Sequence, residues 1–183
     1  MRGGKPEHHK DGGFKNLHMG EMDKSFGSLL KMRFSGTWAA HEELAGQVPV
    51  SRVNRKRILE PEDEVQATWI GHSTYLIQVR GVNILTDPVF SERASPISWA
   101  GPKRYTRPAL SLDELPPIHY VVISHNHYDH LDLSSVEALG NDPLWIVPLK
   151  NAALLESVGV TNVVELDWWE SHEVGEWTFH ATP

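Results

Sequence analysis

Chemistry concentrates in one short segment, Ser124-His125-Asn126-His127-Tyr128-Asp129-His130-Leu131-Asp132. It follows a hydrophobic run and precedes a helical pattern. At a strand end His125 and His127, as alternate residues, point the same way. Asp129 and His130 fall where the turn becomes helix and face a second position close by. Imidazole nitrogen and carboxylate oxygen are good ligands for zinc. Three histidines and an aspartate within six residues are hard to explain by packing, because such groups at a buried strand end are costly unless paired or coordinated. The competing reading is a solvated polar turn without metal. The chain has no cysteine, which excludes disulfides, thiolate metal sites and a Cys nucleophile. Any metal must therefore be held by histidines and carboxylates.

The flanking pattern is that of a layered α/β protein. Strands are predicted at Val65–Ile70, Thr74–Val79 and Val82–Thr86, with Arg80-Gly81 as a tight hairpin turn. Asp87-Pro88 stops the third. Residues 91–117 are a long turn-rich stretch with five prolines, a length that usually marks a functional or a disordered loop. His119–Ser124 reads as a buried strand and Leu131–Leu139 as a short helix, with Ser134 and Glu137 placed for a capping box. Leu144–Val147 is a strand. Asn151–Val158 is a helix capped by Asn151 and stopped by Gly159. Strands follow at Val163–Leu166 and Glu176–Ala181. Hairpins first and βα alternation afterwards imply mixed sheets with helices.

The N-terminus differs from the rest. Residues 1–60 carry 11 Lys/Arg and 7 Asp/Glu, whereas residues 61–183 carry 6 and 17. This divides the chain into a basic arm (1–60) and an acidic body (61–183). Met1–Gly13 reads as a disordered lead-in, and His8-His9 as part of a solvated tail rather than a weak metal site. From Lys24 to Ala40 an apolar stripe of Phe26, Leu29, Leu30, Phe34 and Trp38 predicts an amphipathic helix, which either packs on the domain or lies on an anionic membrane. Gln47–Glu64 reads as a connector. The acidic body argues against nucleic acid as a partner. No run is long and apolar enough for a transmembrane helix, and no signal peptide is evident. A cytoplasmic location, at most peripheral on the inner membrane face, is expected.

His-x-His-x-Asp-His after a hydrophobic strand resembles the signature of the metallo-β-lactamase superfamily. Thr86–Ser91, Arg93-Ala94-Ser95-Pro96, Gly101-Pro102-Lys103-Arg104, Glu114–Ile118, Ile123–Asp132 and Glu165–Glu170 are similar to one branch of it. That branch comprises the N-acyl-phosphatidylethanolamine-hydrolysing phospholipases D and their bacterial relatives. The resemblance covers about residues 65–183. It implies an αββα sandwich, present as its N-terminal half, and two zinc ions. His125 and His127 would serve the first zinc, Asp129 and His130 the second, with Asp129 and His130 also catalytic. A third histidine, a bridging aspartate and a last histidine are expected beyond Pro183, so the 183-residue chain alone would bind zinc weakly and turn over slowly or not at all. Two metals about 3.5–4 Å apart can hold a shared hydroxide and clamp a phosphoryl oxygen. The implied activity is a zinc-dependent phosphodiesterase releasing an N-acylethanolamine and a phosphatidic acid. The implied partners are a phospholipid, a membrane surface met by the N-terminal helix, and a second copy in a homodimer.

Several residues carry two readings each. Asp87 either accepts a hydrogen bond from a metal-ligating histidine, as that position does in the superfamily, or forms a plain Asp-Pro turn. His72, at a strand start, is expected to support the site rather than ligate. Lys103 and Arg104 either meet a phosphate or are solvated. Trp168-Trp169 fill core in preference to facing lipid, and His180 is a packing histidine. Two alternatives to the phospholipase stand. One is another hydrolase of the superfamily, such as a sugar-phosphate lactonase or a nucleic-acid phosphodiesterase. The other is a non-catalytic metal-binding fragment.

Overall fold

A computed structural model of the chain describes residues 6–18, 48–97, 99 and 101–183. The chain divides into two compact units, residues 1–43 and 44–183. In the first, a small hairpin pairs β1 (His9–Lys10) with β2 (Gly13–Phe14), so part of the expected disordered lead-in is ordered. The amphipathic helix expected over Lys24–Ala40 lies outside the described residues.

The second unit is built on a six-stranded sheet whose strands lie in chain order: β3 (Val65–Gly71), β4 (Thr74–Val79), β5 (Val82–Thr86), β6 (Tyr120–Val122), β7 (Leu144–Pro148) and β8 (Val163–Leu166). The first three are antiparallel and the last three run parallel to β5. The turn between β4 and β5 is the expected two-residue hairpin. Arg80 and Gly81 both take positive φ, 45° and 81°, as the twist-matched turn requires, with Val79 paired to Val82. Parallel strands need crossovers. Helix α2 (Leu133–Leu139) connects β6 to β7, and α3 (Ala152–Glu156) connects β7 to β8.

One sheet face is buried. Ile70, Leu76, Leu85, Val121, Trp145 and Val147 pack with Val136 of α2 and Leu155 of α3. A polar ladder shares this face: Gln66 Nε2 donates to Gln78 Oε1 (3.0 Å), and Gln78 Nε2 donates to Ile58 O (2.9 Å) and Asn83 Oδ1 (3.0 Å). Ile58 belongs to a helix that periodicity missed, α1 (Arg55–Leu59), inside the expected connector. Five residues are too few to show a repeat, though Asn54 caps the helix by accepting from Arg57 N. The opposite face carries Trp69 and Tyr75, paired in register and both exposed. Part of it is covered by a second hairpin, β9 (Ser171–Val174) with β10 (Trp177–His180). Phe179 meets Tyr120 at a ring separation of 5.0 Å, and the Arg80 guanidinium lies over Trp177. Strand β9 was not expected, because Ser-His-Glu-Val offers only one apolar residue.

Several other expectations need correction. Strand β6 is shorter than His119–Ser124, because the N–H of Ser124 turns to the Asp87 carboxylate instead of a strand neighbour. Helix α2 starts at Leu133, capped by Asp132 through Ser134 N rather than by a Ser134–Glu137 box. Asn151 stands at the N-cap of α3, but its side chain donates to Pro148 O; Glu165 Oε1 accepts from Ala152 N instead. Trp169 is 75% exposed with φ of 69°, so it does not fill core, and His180 is exposed rather than packed.

Candidate metal centre

The segment from Ser124 to Asp132 leaves the C-terminal end of β6 and enters α2. Backbone bonds from His130 N and Leu131 N to His127 O fold it into a tight turn. That turn brings the three motif imidazoles together. His125 Nε2 lies 3.0 Å from His127 Nδ1, and the His125 and His130 rings are 4.0 Å apart between centroids. His130 Nε2 is 3.7 Å from Asp129 Oδ2.

Two supports come from elsewhere in the sequence. Asp87, buried at the end of β5, adopts a positive φ of 35°, a conformation uncommon outside glycine and found most often at Asn and Asp. Its carboxylate accepts from Ser124 N (2.7 Å), Ser124 Oγ (2.7 Å) and His130 Nδ1 (2.9 Å). A carboxylate beside Nδ1 holds the proton there and leaves Nε2 as the free lone pair. His72, on the β3–β4 turn, also has a positive φ, 50°, and its Nε2 lies 3.0 Å from Asp129 Oδ2. Trp69 Nε1 donates to His72 O, and Ser73 Oγ donates to Asp129 O. Of the five described non-glycine residues with positive φ, His72 and Asp87 aim their side chains at the Asp129-His130 pair. Local strain of this kind persists where the surroundings over-determine it.

Electrostatics favour ligand-ready forms. Burial lowers the pKa of His125, and the neighbouring His130 and His127 lower it further against the opposing pull of Asp87 and Asp129. Neutral imidazole, the ligating form, is therefore favoured. Burial pushes the Asp129 carboxyl up, but its backbone hydrogen bond, His130 and His72 outweigh this and hold it below the ordinary carboxylate value.

The donor set fits a divalent metal. His125 and His127 turn ring nitrogens toward each other, and a ring nitrogen from each of His72 and His130 lies with an Asp129 oxygen within 4.8 Å of one another. His125 and His127 would hold one ion. Asp129 and His130 would hold a second, with His72 and Asp87 orienting them.

The polar partners of Lys103 and Arg104 lie outside this cluster. Lys103 Nζ pairs with Glu92 Oε1 (2.7 Å). Arg104 donates to Ser91 O (2.9 Å) and Val89 O (2.7 Å), pinning the long loop to the end of β5. Its guanidinium faces backbone carbonyls, an environment that only the folded loop creates.

Two contributors were missed in the sequence. Ser124 Oγ lies within hydrogen-bond distance of Asp87, His125 Nδ1 (2.9 Å) and His130 Nδ1 (3.3 Å), so it links the ligand pairs. Its position directly before His125 was the available signal. Asp132 holds the loop after β5: Oδ2 accepts from Phe90 N (3.2 Å) and Ser91 N (3.0 Å), and Oδ1 accepts from Ser91 Oγ (2.9 Å).

A helix-backed mixed sheet with a His-x-His-x-Asp-His turn at a strand end defines a metal-binding α/β protein. Residues 82–183 match the family described as the β-lactamase superfamily domain, and the chain belongs to that superfamily, in its metallo-β-lactamase form. Over 120 residues it is 43% identical to the N-acyl-phosphatidylethanolamine-hydrolysing phospholipase D 1 of Caenorhabditis elegans, covering 61% of this chain and 34% of that protein. An uncharacterised protein of Mycobacterium tuberculosis is 36% identical over 179 residues, covering 96% of this chain and 48% of its own. The chain thus spans less than half the length of these relatives. Among solved structures, a variant of CmlA, a diiron β-hydroxylase from Streptomyces venezuelae, superposes with a TM-score of 0.51 at 26% identity, over 85% of this chain and 32% of that one.

Proposed function

We propose that this chain carries part of the active centre of a zinc-dependent phosphodiesterase acting on N-acyl-phosphatidylethanolamine-type phospholipids. The observation that carries the proposal is the junction of His125, His127, Asp129 and His130 at one strand end, with Asp87 bonded to His130. The 43% identity to a phospholipase D of that specificity supports the substrate class. Metal ions bound there would supply a Lewis acid for the phosphoryl oxygen and activate water at neutral pH. The protein's own residues orient and hold protons. Asp87 keeps the His130 proton on Nδ1. His72 fixes the Asp129 carboxylate, and Ser124 steadies His125. Water adds to phosphorus, the bond from phosphorus to the ethanolamine oxygen breaks, and an N-acylethanolamine leaves with a phosphatidic acid.

Zinc in two sites is the proposed cofactor. The likeness to a diiron protein favours iron as the second reading, since the same ligands accept it. Among the described residues no helix is long and apolar enough to cross a membrane, and peripheral contact with lipid is part of the proposal. A homodimer is part of the proposal. The test is a substrate panel with the zinc-loaded, full-length protein that carries this chain, read by mass spectrometry. N-acylethanolamine release, abolished by chelation and by Asp129→Asn, is expected. Cleavage of a lactone or of RNA without phospholipid cleavage would overturn the phospholipase reading.

A further inference from the structure

An open groove of about 860 Å³ lies between the extended segment leading into α1 and the loop at residues 105–109. Three arginines line it: Arg52, Arg55 and Arg107. Arg55 is paired with Glu114. Among the described residues no hydrogen bond or ion pair holds Arg52 or Arg107, and both are exposed. Beside them the lining includes Val48 and Val50, both exposed, and Val53, packed against the core, together with Ser51 and Thr106. The far wall is fixed to the sheet, because Ala109 N donates to Ile70 O (2.8 Å) near the end of β3. His72, which meets Asp129, follows two residues later.

Arg52, at the end of the basic arm, and Arg107, on the acidic body, are two unpartnered guanidinium groups that call for an anion. Their planar forks match phosphate oxygens. The exposed valines beside them suit an acyl chain or the glycerol region, which free phosphate does not offer. Nucleic acid fits less well, because the unit that holds the groove, residues 44–183, carries 18 acidic against 10 basic residues. We infer that this groove is a docking site for an anionic phospholipid, its phosphate on Arg52 and Arg107, separate from the metal centre. The inference does not depend on which bond the metal centre cleaves.

The experiment is co-sedimentation of the full chain with vesicles of phosphatidylcholine alone or mixed with phosphatidylglycerol. The groove variant is Arg52→Gln with Arg107→Gln, and Lys24→Gln with Lys31→Gln and Arg33→Gln is the control in the basic arm. The wild type should bind the mixed vesicles and not the neutral ones. The groove variant should bind about thirtyfold more weakly, near fivefold per arginine. Its melting temperature and metal binding should be unchanged, since neither arginine holds a structural bond. Inorganic phosphate at matched concentration should not displace the vesicles. Binding kept by the groove variant would overturn the inference, whatever the arm variant does. So would displacement by inorganic phosphate, or RNA binding that depends on the same arginines and exceeds vesicle binding.

Discussion

Replacing Asp87 with asparagine should weaken metal binding through a proton it moves on a different residue. The carboxylate offers acceptors to three donors at 2.7–2.9 Å: Ser124 N, Ser124 Oγ and His130 Nδ1. Asparagine keeps nearly the same volume but has one acceptor oxygen and one NH2 donor. The oxygen can continue to serve Ser124 N. The NH2 then stands where Oδ2 was and faces His130 Nδ1. Two donors cannot share that contact, so His130 must give up its Nδ1 proton and carry it on Nε2. Nε2 is the atom facing Asp129 at 3.7 Å, and a protonated nitrogen does not ligate. Loss of such a support costs about tenfold to a hundredfold in metal affinity. The assay is zinc competition against a chromophoric chelator, with the tautomer of His130 read by nitrogen-15 NMR. Unchanged affinity, together with a His130 that keeps its Nδ1 proton in the variant, would refute the reasoning.

Three further outcomes are expected. Asp132→Ala should lower stability by about 3 kcal/mol, because it removes the α2 cap and leaves Phe90 N and Ser91 N without their carboxylate; urea unfolding measures it. Gln78→Leu should cost about 2 kcal/mol in the same assay, since Ile58 O, Asn83 Oδ1 and Gln66 Nε2 all lose a buried partner. Stability of the metal-free protein should fall as pH drops below about 6.5, because the unfolded His125 takes up a proton that the folded one resists. A second loss should follow in stronger acid as Asp129, held below its ordinary value when folded, is protonated. Urea midpoints that rise between pH 7.5 and 5.5 would contradict that sign.

The parts that were legible in the sequence are those made locally. His125, His127, Asp129 and His130 sit within six residues, and a strand-end turn is enough to converge them. Gly81 marks its hairpin by local backbone preference, between two strand patterns one turn apart. What was not legible depends on contacts across the fold. Asp87 reaches His130 across 43 residues, and two readings of it stood open until β5 and β6 were placed side by side. Arg104 stood open between a phosphate contact and a solvated charge, and its bonds to the Ser91 and Val89 carbonyls depend on how the loop folds. Capping was misassigned at α2 because Asp132, the true cap, also serves Phe90 and Ser91 at a distance. Strand β9 and helix α1 are too short and too polar for periodicity, and each exists because a partner element covers it.

The most direct test of the metal centre is zinc retained after equilibrium dialysis, counted by mass spectrometry. The proteins compared are the wild type, the His125→Ala/His127→Ala pair and the Asp129→Ala/His130→Ala pair. Zinc bound by the wild type and reduced in each pair is the expected result. Equal zinc in the wild type and in both pairs would contradict the assignment of the site.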